Sequence, residues 1–485
     1  MVVGGSQRQG EGLGLWAPGF DIVPCMYRRH FLAGALGAAA APKRPVNVLF
    51  VVSDDLTSTA LGCYGHPVVQ SPNVDGVARS GVRFDRAYCQ FALCAPSRAS
   101  FLTGLRPDTT RVLTNGPDFR EFHPNHVTMP QLFKNNGYQA IREGKMYHMG
   151  VPGTVGTDRW QDAASWTHNG SPQGKEHNSR GETRDLTPHI APGVGMRTVR
   201  TADASEQADF DAANRAIAHL EKHRNDPFFL GLGFVRPHVP FVAPSEYFDR
   251  YPLSKIRLTK NPAGDLDDIP AIVARTLGAT AGNMKMNEDQ QMEALRGYYA
   301  AISFMDDQLG RVLKTLERLG LRENTVVVFM GDHGWHLGEH SFWQKRSLME
   351  ESAKVPLLIS APGMKGRGQV SRSLVELVDV YPTLADLCGL TPPGNLEGKS
   401  LRPVLANPKR AHRSEARTQL NAGTTEGRAV RTADFRYIRW KTPTETAEEL
   451  YDHRKDPREF TNVAGDGRYA AELARHRALV APSGG

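Results

Sequence analysis

A chain of 485 residues, 23% charged and 40% hydrophobic, is long enough for one large domain plus a smaller one and has the composition of an ordinary globular protein. Its formal net charge of +7 suits anionic substrates, but no dense Lys/Arg block points to nucleic acid. Five scattered cysteines, Cys25, Cys63, Cys89, Cys94 and Cys388, argue against a disulfide framework, and no apolar run is long enough to span a bilayer.

In chain order, Arg28-Arg29 precede Phe31-Leu32, a weakly apolar Ala-rich stretch and an Ala-x-Ala cleavage candidate before Pro42. This pattern predicts a twin-arginine export signal within a leader at 1–41, hence a bacterial periplasmic or extracellular protein. Residues 1–25 are Gly-rich and sit awkwardly ahead of such a signal, so Met26 is the expected start. Val46–Ser53 is an apolar, β-branched run of strand length that delivers Asp54-Asp55 at its end. Pro96 and Gly104 suit the first turn and the stop of a helix beginning near Cys94.

Gln207–Arg224 reads as an amphipathic helix and Pro227–Phe234 as a buried strand. Glu288–Leu319 carries helical spacing, and Thr325–Gly331 is a second buried strand delivering Asp332-His333. Val355–Ser360 predicts a further strand and Leu374–Leu390 a helix. The alternation argues for an α/β fold. Beyond residue 405, Arg436–Trp440 and Glu449–Asp452 predict short antiparallel strands. The expected division is 42–404 for a catalytic domain and 405–485 for a small C-terminal α+β subdomain. Stretches 150–200 and 255–290 read as loop-rich without assignable elements.

Open α/β sheets bind ligands at the carboxyl ends of their strands, where two Asp-bearing ends fall here. Asp54, Asp55 and Asp332 supply the hard oxygens that Ca2+ or Mg2+ prefers. An Asp-Asp pair alone more often caps a turn; the second strand end favours metal. His333 is an unusual ligand for a hard cation. Together with His336 and His340 it suggests zinc, but Gly334 and Gly338 interrupt the helix such a triad wants. Cys94 at a helix N-terminus, with Arg98 one turn on, can face an anion, although a buried structural cysteine fits that residue alone equally well. Lys145 and His148 would by themselves read as solvated, and His238 as a satisfied core histidine.

The run Cys94-Ala-Pro-Ser-Arg98 with Thr103-Gly104 resembles the signature of the type I sulfatase family. Three further segments share the likeness: Gly144-Lys145-Met-Tyr-His148, Arg236-Pro-His238, and Gly331-Asp-His-Gly-Trp through His340 to Lys345. The last block is closest to the iduronate 2-sulfatase branch. A tyrosine-phosphatase loop needs five residues between Cys and Arg, and here there are three. The resemblance implies an alkaline-phosphatase-like fold, a large mixed sheet flanked by helices, with a smaller C-terminal antiparallel-sheet subdomain.

It also implies a sulfuric ester hydrolase acting on a sulfated carbohydrate. A formylglycine-generating enzyme would convert Cys94 to formylglycine, whose hydrate attacks sulfur. Ca2+, ahead of Mg2+, would be held by Asp54, Asp55, Asp332, His333 and the modified Cys94. Arg98, Lys145 and Lys345 would complete a cationic pocket on sulfate, His238 would serve the leaving alcohol and His148 would accept a proton. The alternatives are a phosphonate monoester or phosphodiester hydrolase of the same superfamily and a catalytically silent secreted binder of sulfated glycans.

Overall fold

Asn47–Ser53 and Thr325–Gly331 are strands whose every residue is buried, as unbroken apolar runs require. The structure is a computed structural model describing residues 45–175, 180–191, 194–278 and 281–480; the leader at 1–41 lies outside them. Leu49 and Val51 enter one core and Val48, Phe50 and Val52 the opposite one, the period-2 alternation of a strand covered on both faces. Helices Ala208–Lys222 and Glu288–Arg318 contribute to the first core, and Cys94–Thr103, Met129–Asn135 and Val380–Cys388 to the second.

Among the described residues nine strands form the large mixed sheet. At its heart Thr325–Gly331, Asn47–Ser53, Phe228–Phe234, Gln139–Gly144 and His168–Gly170 run parallel in that order. Their register levels the carboxyl ends: Ser53 lies opposite both Gly331 and Phe234, and Gly144 opposite Gly233. Residues just past four of these five strands, Asp54, Asp332, Arg236 and Lys145, therefore emerge at one edge. Gly144 makes the close approach possible. Its φ is +84°, and a Cβ there would fall 2.1 Å from the Gly233 carbonyl oxygen.

Four antiparallel strands, Glu415–Ala422, Thr425–Thr432, Phe435–Lys441 and Thr446–Asp452, make the C-terminal sheet. Helix Ala470–Val480 packs on it through Leu473 and Val480. Arg436 anchors this sheet to the rest, donating to Glu350 and, at 3.2 Å, to the Leu348 carbonyl. Asp379 forms a second anchor. It accepts from Arg413 Nε at 2.9 Å and from the amides of Lys399 and Glu376 at 2.8 and 2.9 Å.

Several elements depart from the sequence reading. Leu374–Glu376 ends a strand, Gln369–Glu376, pairing parallel to Val82–Tyr88, and the helix begins only at Val380. Apolar spacing over a short window does not separate a buried strand from a helix. Residues 150–200 and 255–290 hold small elements rather than loops alone. Gly181–Asp185, Arg197–Thr201 and Phe241–Pro244 form a three-stranded sheet, and Ala271–Leu277 is helical. Cys63, Cys89, Cys94 and Cys388 are free thiols.

Candidate active site

Helix Cys94–Thr103 is buried along its whole length, and Gly104 at φ +71° stops it. Its first turn presents Cys94 at the amide end, where Asn115 Oδ1 accepts from the Ala95 amide at 3.0 Å. Cys94 Sγ lies 3.3 Å from His333 Nε2, 3.6 Å from Lys345 Nζ and 3.8 Å from Asp55 Oδ1. Burial opposes ionisation of this thiol, but Lys145 and Lys345 prevail and its pKa falls below the ordinary value.

The three carboxylates converge on the same point from the levelled strand ends. Asp54, Asp55, Asp332 and His333 have no solvent exposure. Asp54 accepts from Lys145 Nζ at 2.6 Å and Arg98 at 3.0 Å, and these cations hold its pKa well below the usual range against the cost of burial. Arg98 Nε donates to Asp332 at 2.8 Å, and its Nη1 donates to the carbonyls of Lys145 and Met146. The guanidinium is thereby committed to orienting two carboxylates. Asp55 sits at φ +59°, a left-handed conformation that Asp tolerates better than most side chains. Its amide donates to Asp332 Oδ1 at 3.1 Å, and Tyr298 Oη donates to its carbonyl at 2.7 Å.

Lys345 Nζ contacts both Asp55 oxygens, at 2.7 and 2.8 Å. Even so, burial, with Cys94 and Asp54 adding negative charge, pushes the Asp55 carboxyl up to about 8. Burial works against charge on His333, yet Asp332 and Cys94 overcome it and lift this histidine to about 9. His333 Nδ1 donates to the Gly334 carbonyl at 2.9 Å, leaving Nε2 aimed at Cys94 and Asp55. Ligand atoms of Cys94, Asp332 and His333 lie within 4.8 Å of one another, as do those of Asp54, Asp55, Cys94 and His238. Buried carboxylate oxygens gathered at one point are the hard donors that a divalent cation such as Ca2+ or Mg2+ takes.

His238 Nδ1 donates to the Val239 carbonyl at 2.6 Å, and Nε2 accepts from Lys345 at 3.3 Å. Burial and Lys345 keep this imidazole neutral. His148 stands further off. It lines a narrow cleft with Ala95, Ala99 and Asn115 against the first turn of the Cys94 helix, stacked on Trp160 at 5.6 Å. Its Nδ1 is buried without a partner among the described residues, and burial with Lys145 lowers its pKa to about 3. His336 and His340 point elsewhere, to Ser347 at 2.7 Å and Asp265 at 3.2 Å.

Three supporting residues escaped the sequence reading. Ser97 Oγ donates to the Asp332 carbonyl at 2.5 Å, Tyr298 fixes the Asp54-Asp55 turn, and the Trp335 ring lies 5.3 Å from Lys345 Nζ. Ser97 and Trp335 stood inside the motifs, whereas Tyr298 carried only a helical apolar signal.

Residues 46–390 match the sulfatase family, and residues 338–479 match the C-terminal family of N-sulphoglucosamine sulphohydrolase. The chain belongs to the type I sulfatase family. This sulfatase is 31% identical to mouse (Mus musculus) iduronate 2-sulfatase over 514 aligned positions, covering 88% of this chain and 92% of the relative. It is 30% identical to a sulfatase of Formosa agariphila over 470 positions, 90% of this chain and 86% of that one. The phosphonate monoester hydrolase of Agrobacterium radiobacter shares its fold, with a TM-score of 0.75 at 23% identity over 90% of this chain and 94% of the other. Sulfatases hydrolyse sulfate esters, and the alkaline-phosphatase-like sheet, the flanking helices and the C-terminal antiparallel sheet agree with that assignment.

Proposed function

We propose that this sulfatase removes sulfate from a sulfated carbohydrate of the iduronate 2-sulfate kind, with Cys94 matured to formylglycine and Ca2+, ahead of Mg2+, as its metal. The observation that carries the reading is Cys94 Sγ at a helix N-terminus, 3.3 Å from His333 and 3.6 Å from Lys345. Asp54, Asp55, Asp332 and His333 would hold the ion, which supplies Lewis-acid charge when bound. The oxidised Cys94 side chain supplies an aldehyde hydrate as nucleophile.

The chain's own groups do the rest. Lys345 Nζ, beside Cys94, orients and neutralises a sulfate oxygen. The helix N-terminus adds about 0.3–1 kcal/mol toward an anion, small beside the roughly 8–23 kcal/mol that enzymatic rate enhancements require. The larger share therefore falls to the preorganised cations in a site shielded from water. His238 Nε2, which accepts from the Lys345 ammonium at 3.3 Å, would take up that proton and hand it to the leaving alcohol, leaving Lys345 as the amine. His148, whose buried Nδ1 has no partner among the described residues, would accept a proton once the bound anion counters the burial and Lys145 that depress its basicity. Export through the twin-arginine pattern at Arg28-Arg29 and maturation by a formylglycine-generating enzyme belong to the same reading.

Mass spectrometry of the Cys94 peptide, paired with assays on an iduronate 2-sulfate and a phosphonate monoester, tests it. The expected result is an aldehyde at residue 94 and hydrolysis favouring the sulfate. An intact thiol in fully active enzyme, or preference for the phosphonate, overturns it. A thiol in an inactive protein that binds sulfated glycans would establish the silent binder instead.

A further inference from the structure

Outside the active site, Glu143, His168 and His219 meet from three separate elements. Glu143 lies on strand Gln139–Gly144, His168 opens strand His168–Gly170 and His219 sits in the last turn of helix Ala208–Lys222. Both imidazoles turn Nε2 toward the same oxygen, Glu143 Oε1, at 3.1 Å each, with ring centroids 4.3 Å apart. The Glu143 side chain is fully buried, and its Oε2 has no hydrogen-bond partner among the described residues.

Hydrogen bonding alone accounts poorly for this arrangement. A buried carboxylate normally finds partners for both oxygens, yet here one oxygen faces two imidazoles and the other none. Space for the carboxylate is also specifically provided. A Cβ on Gly170 would fall 2.2 Å from Oε2 and 2.3 Å from Oε1, so only glycine at 170 leaves room.

Ligand bonds of about 2.0–2.2 Å in a tetrahedral zinc site set neighbouring ligand atoms roughly 3.3 Å apart. The observed 3.1 Å separations need only slight opening to admit an ion. We propose that Glu143, His168 and His219 form a second metal site for a divalent transition ion of the zinc type, with water in the remaining position. Two imidazoles with one carboxylate favour a borderline-soft ion, which separates this site from the carboxylate-rich centre at Cys94. His168, whose side chain is 48% exposed, provides the entry path. Occupancy would tie the sheet-edge strand and the helix to the strand that runs into Lys145.

The test uses the full calcium-loaded chain, titrated with Co2+ and followed by its visible ligand-field absorption, then displaced by Zn2+. The wild type should bind one more equivalent of Co2+ than His168→Ala or His219→Ala, and Zn2+ should raise the wild-type Tm but not theirs. His168→Ala changes an exposed side chain and should keep full sulfatase activity, which reports its folding. Zinc-edge anomalous diffraction from Zn2+-soaked wild-type crystals gives a reading free of mutation, with a peak expected between the three ligand atoms. Equal Co2+ titres and Tm shifts in all three proteins, or no peak at that position, overturn the proposal.

Discussion

Lys345 holds its ammonium against both oxygens of the Asp55 carboxylate, at 2.7 and 2.8 Å, across 290 residues of chain. The same nitrogen lies 3.6 Å from Cys94 Sγ, so one cation stands between the Asp55 carboxylate and the thiol. Its pKa is raised: burial disfavours the charge, and Asp55 with Cys94 more than restores it. Lys345 therefore stays charged throughout the neutral range.

Lys345→Met is expected to lower kcat/KM by about 10²–10³-fold, the loss typical of removing one preorganised donor from a transition state. Ca2+ affinity should hold or rise, because a positive charge leaves the neighbourhood of Asp55. Steady-state kinetics and calorimetric Ca2+ titration check the two halves. Metal loss as large as that in Asp332→Ala would show that Lys345 supports the ion rather than the substrate.

Cys94→Ala should abolish sulfatase turnover while leaving fold and metal content close to wild type, since Asp54, Asp55, Asp332 and His333 all remain. Cys94→Ser separates the aldehyde chemistry from simple covalent catalysis. The hydroxyl can still attack sulfur, but a serine sulfate has no second hydroxyl from which to collapse. One slow turnover and a sulfate mass on that peptide are expected. Repeated turnover without an adduct would remove the need for the aldehyde.

Chelation should stop activity without unfolding the protein, because the sheet and its two cores do not depend on the strand-end carboxylates. Ca2+ should restore turnover better than Mg2+, because Ca2+ accepts an irregular set of carboxylate oxygens whereas Mg2+ demands near-ideal octahedral geometry. At a concentration of 100 Kd, bound Ca2+ should add about 2.7 kcal/mol to stability, read as a Tm shift. Full activity after exhaustive chelation contradicts the metal's role.

Asp379 makes a stability prediction with a defined pH sense. Burial opposes its charge, but hydrogen bonds from Arg413 and His412 hold the pKa near about 2. A carboxyl depressed in the folded state contributes stability that is present above its unfolded pKa of about 3.9 and disappears as pH falls through the folded value. Asp379→Asn should cost about 3–5 kcal/mol at neutral pH, as expected for breaking a buried pair. The gap from wild type, measured by urea unfolding, should narrow between about pH 4 and pH 2. A gap independent of pH in that window would exclude the ion pair as its source.

The sequence by itself determined the parts of this sulfatase that are written locally. Unbroken β-branched runs at Val46–Ser53 and Thr325–Gly331 can bury both faces only as inner strands, and their ends necessarily carry Asp54-Asp55 and Asp332-His333. The Cys94 helix was equally legible, because Pro96 and Gly104 mark its first turn and its stop. The tertiary structure alone decided which cation meets which carboxylate. Arg98 is spent on Asp54 and Asp332, Lys345 pairs with Asp55, and Tyr298 reaches the Asp55 carbonyl from a helix 243 residues away. It also decided that Leu374–Glu376 is strand and that Glu143, His168 and His219 converge. Local periodicity reports how one segment meets an interface between polar and apolar surroundings. Pairings between distant side chains depend instead on strand register and helix placement, which arise only when the whole core packs.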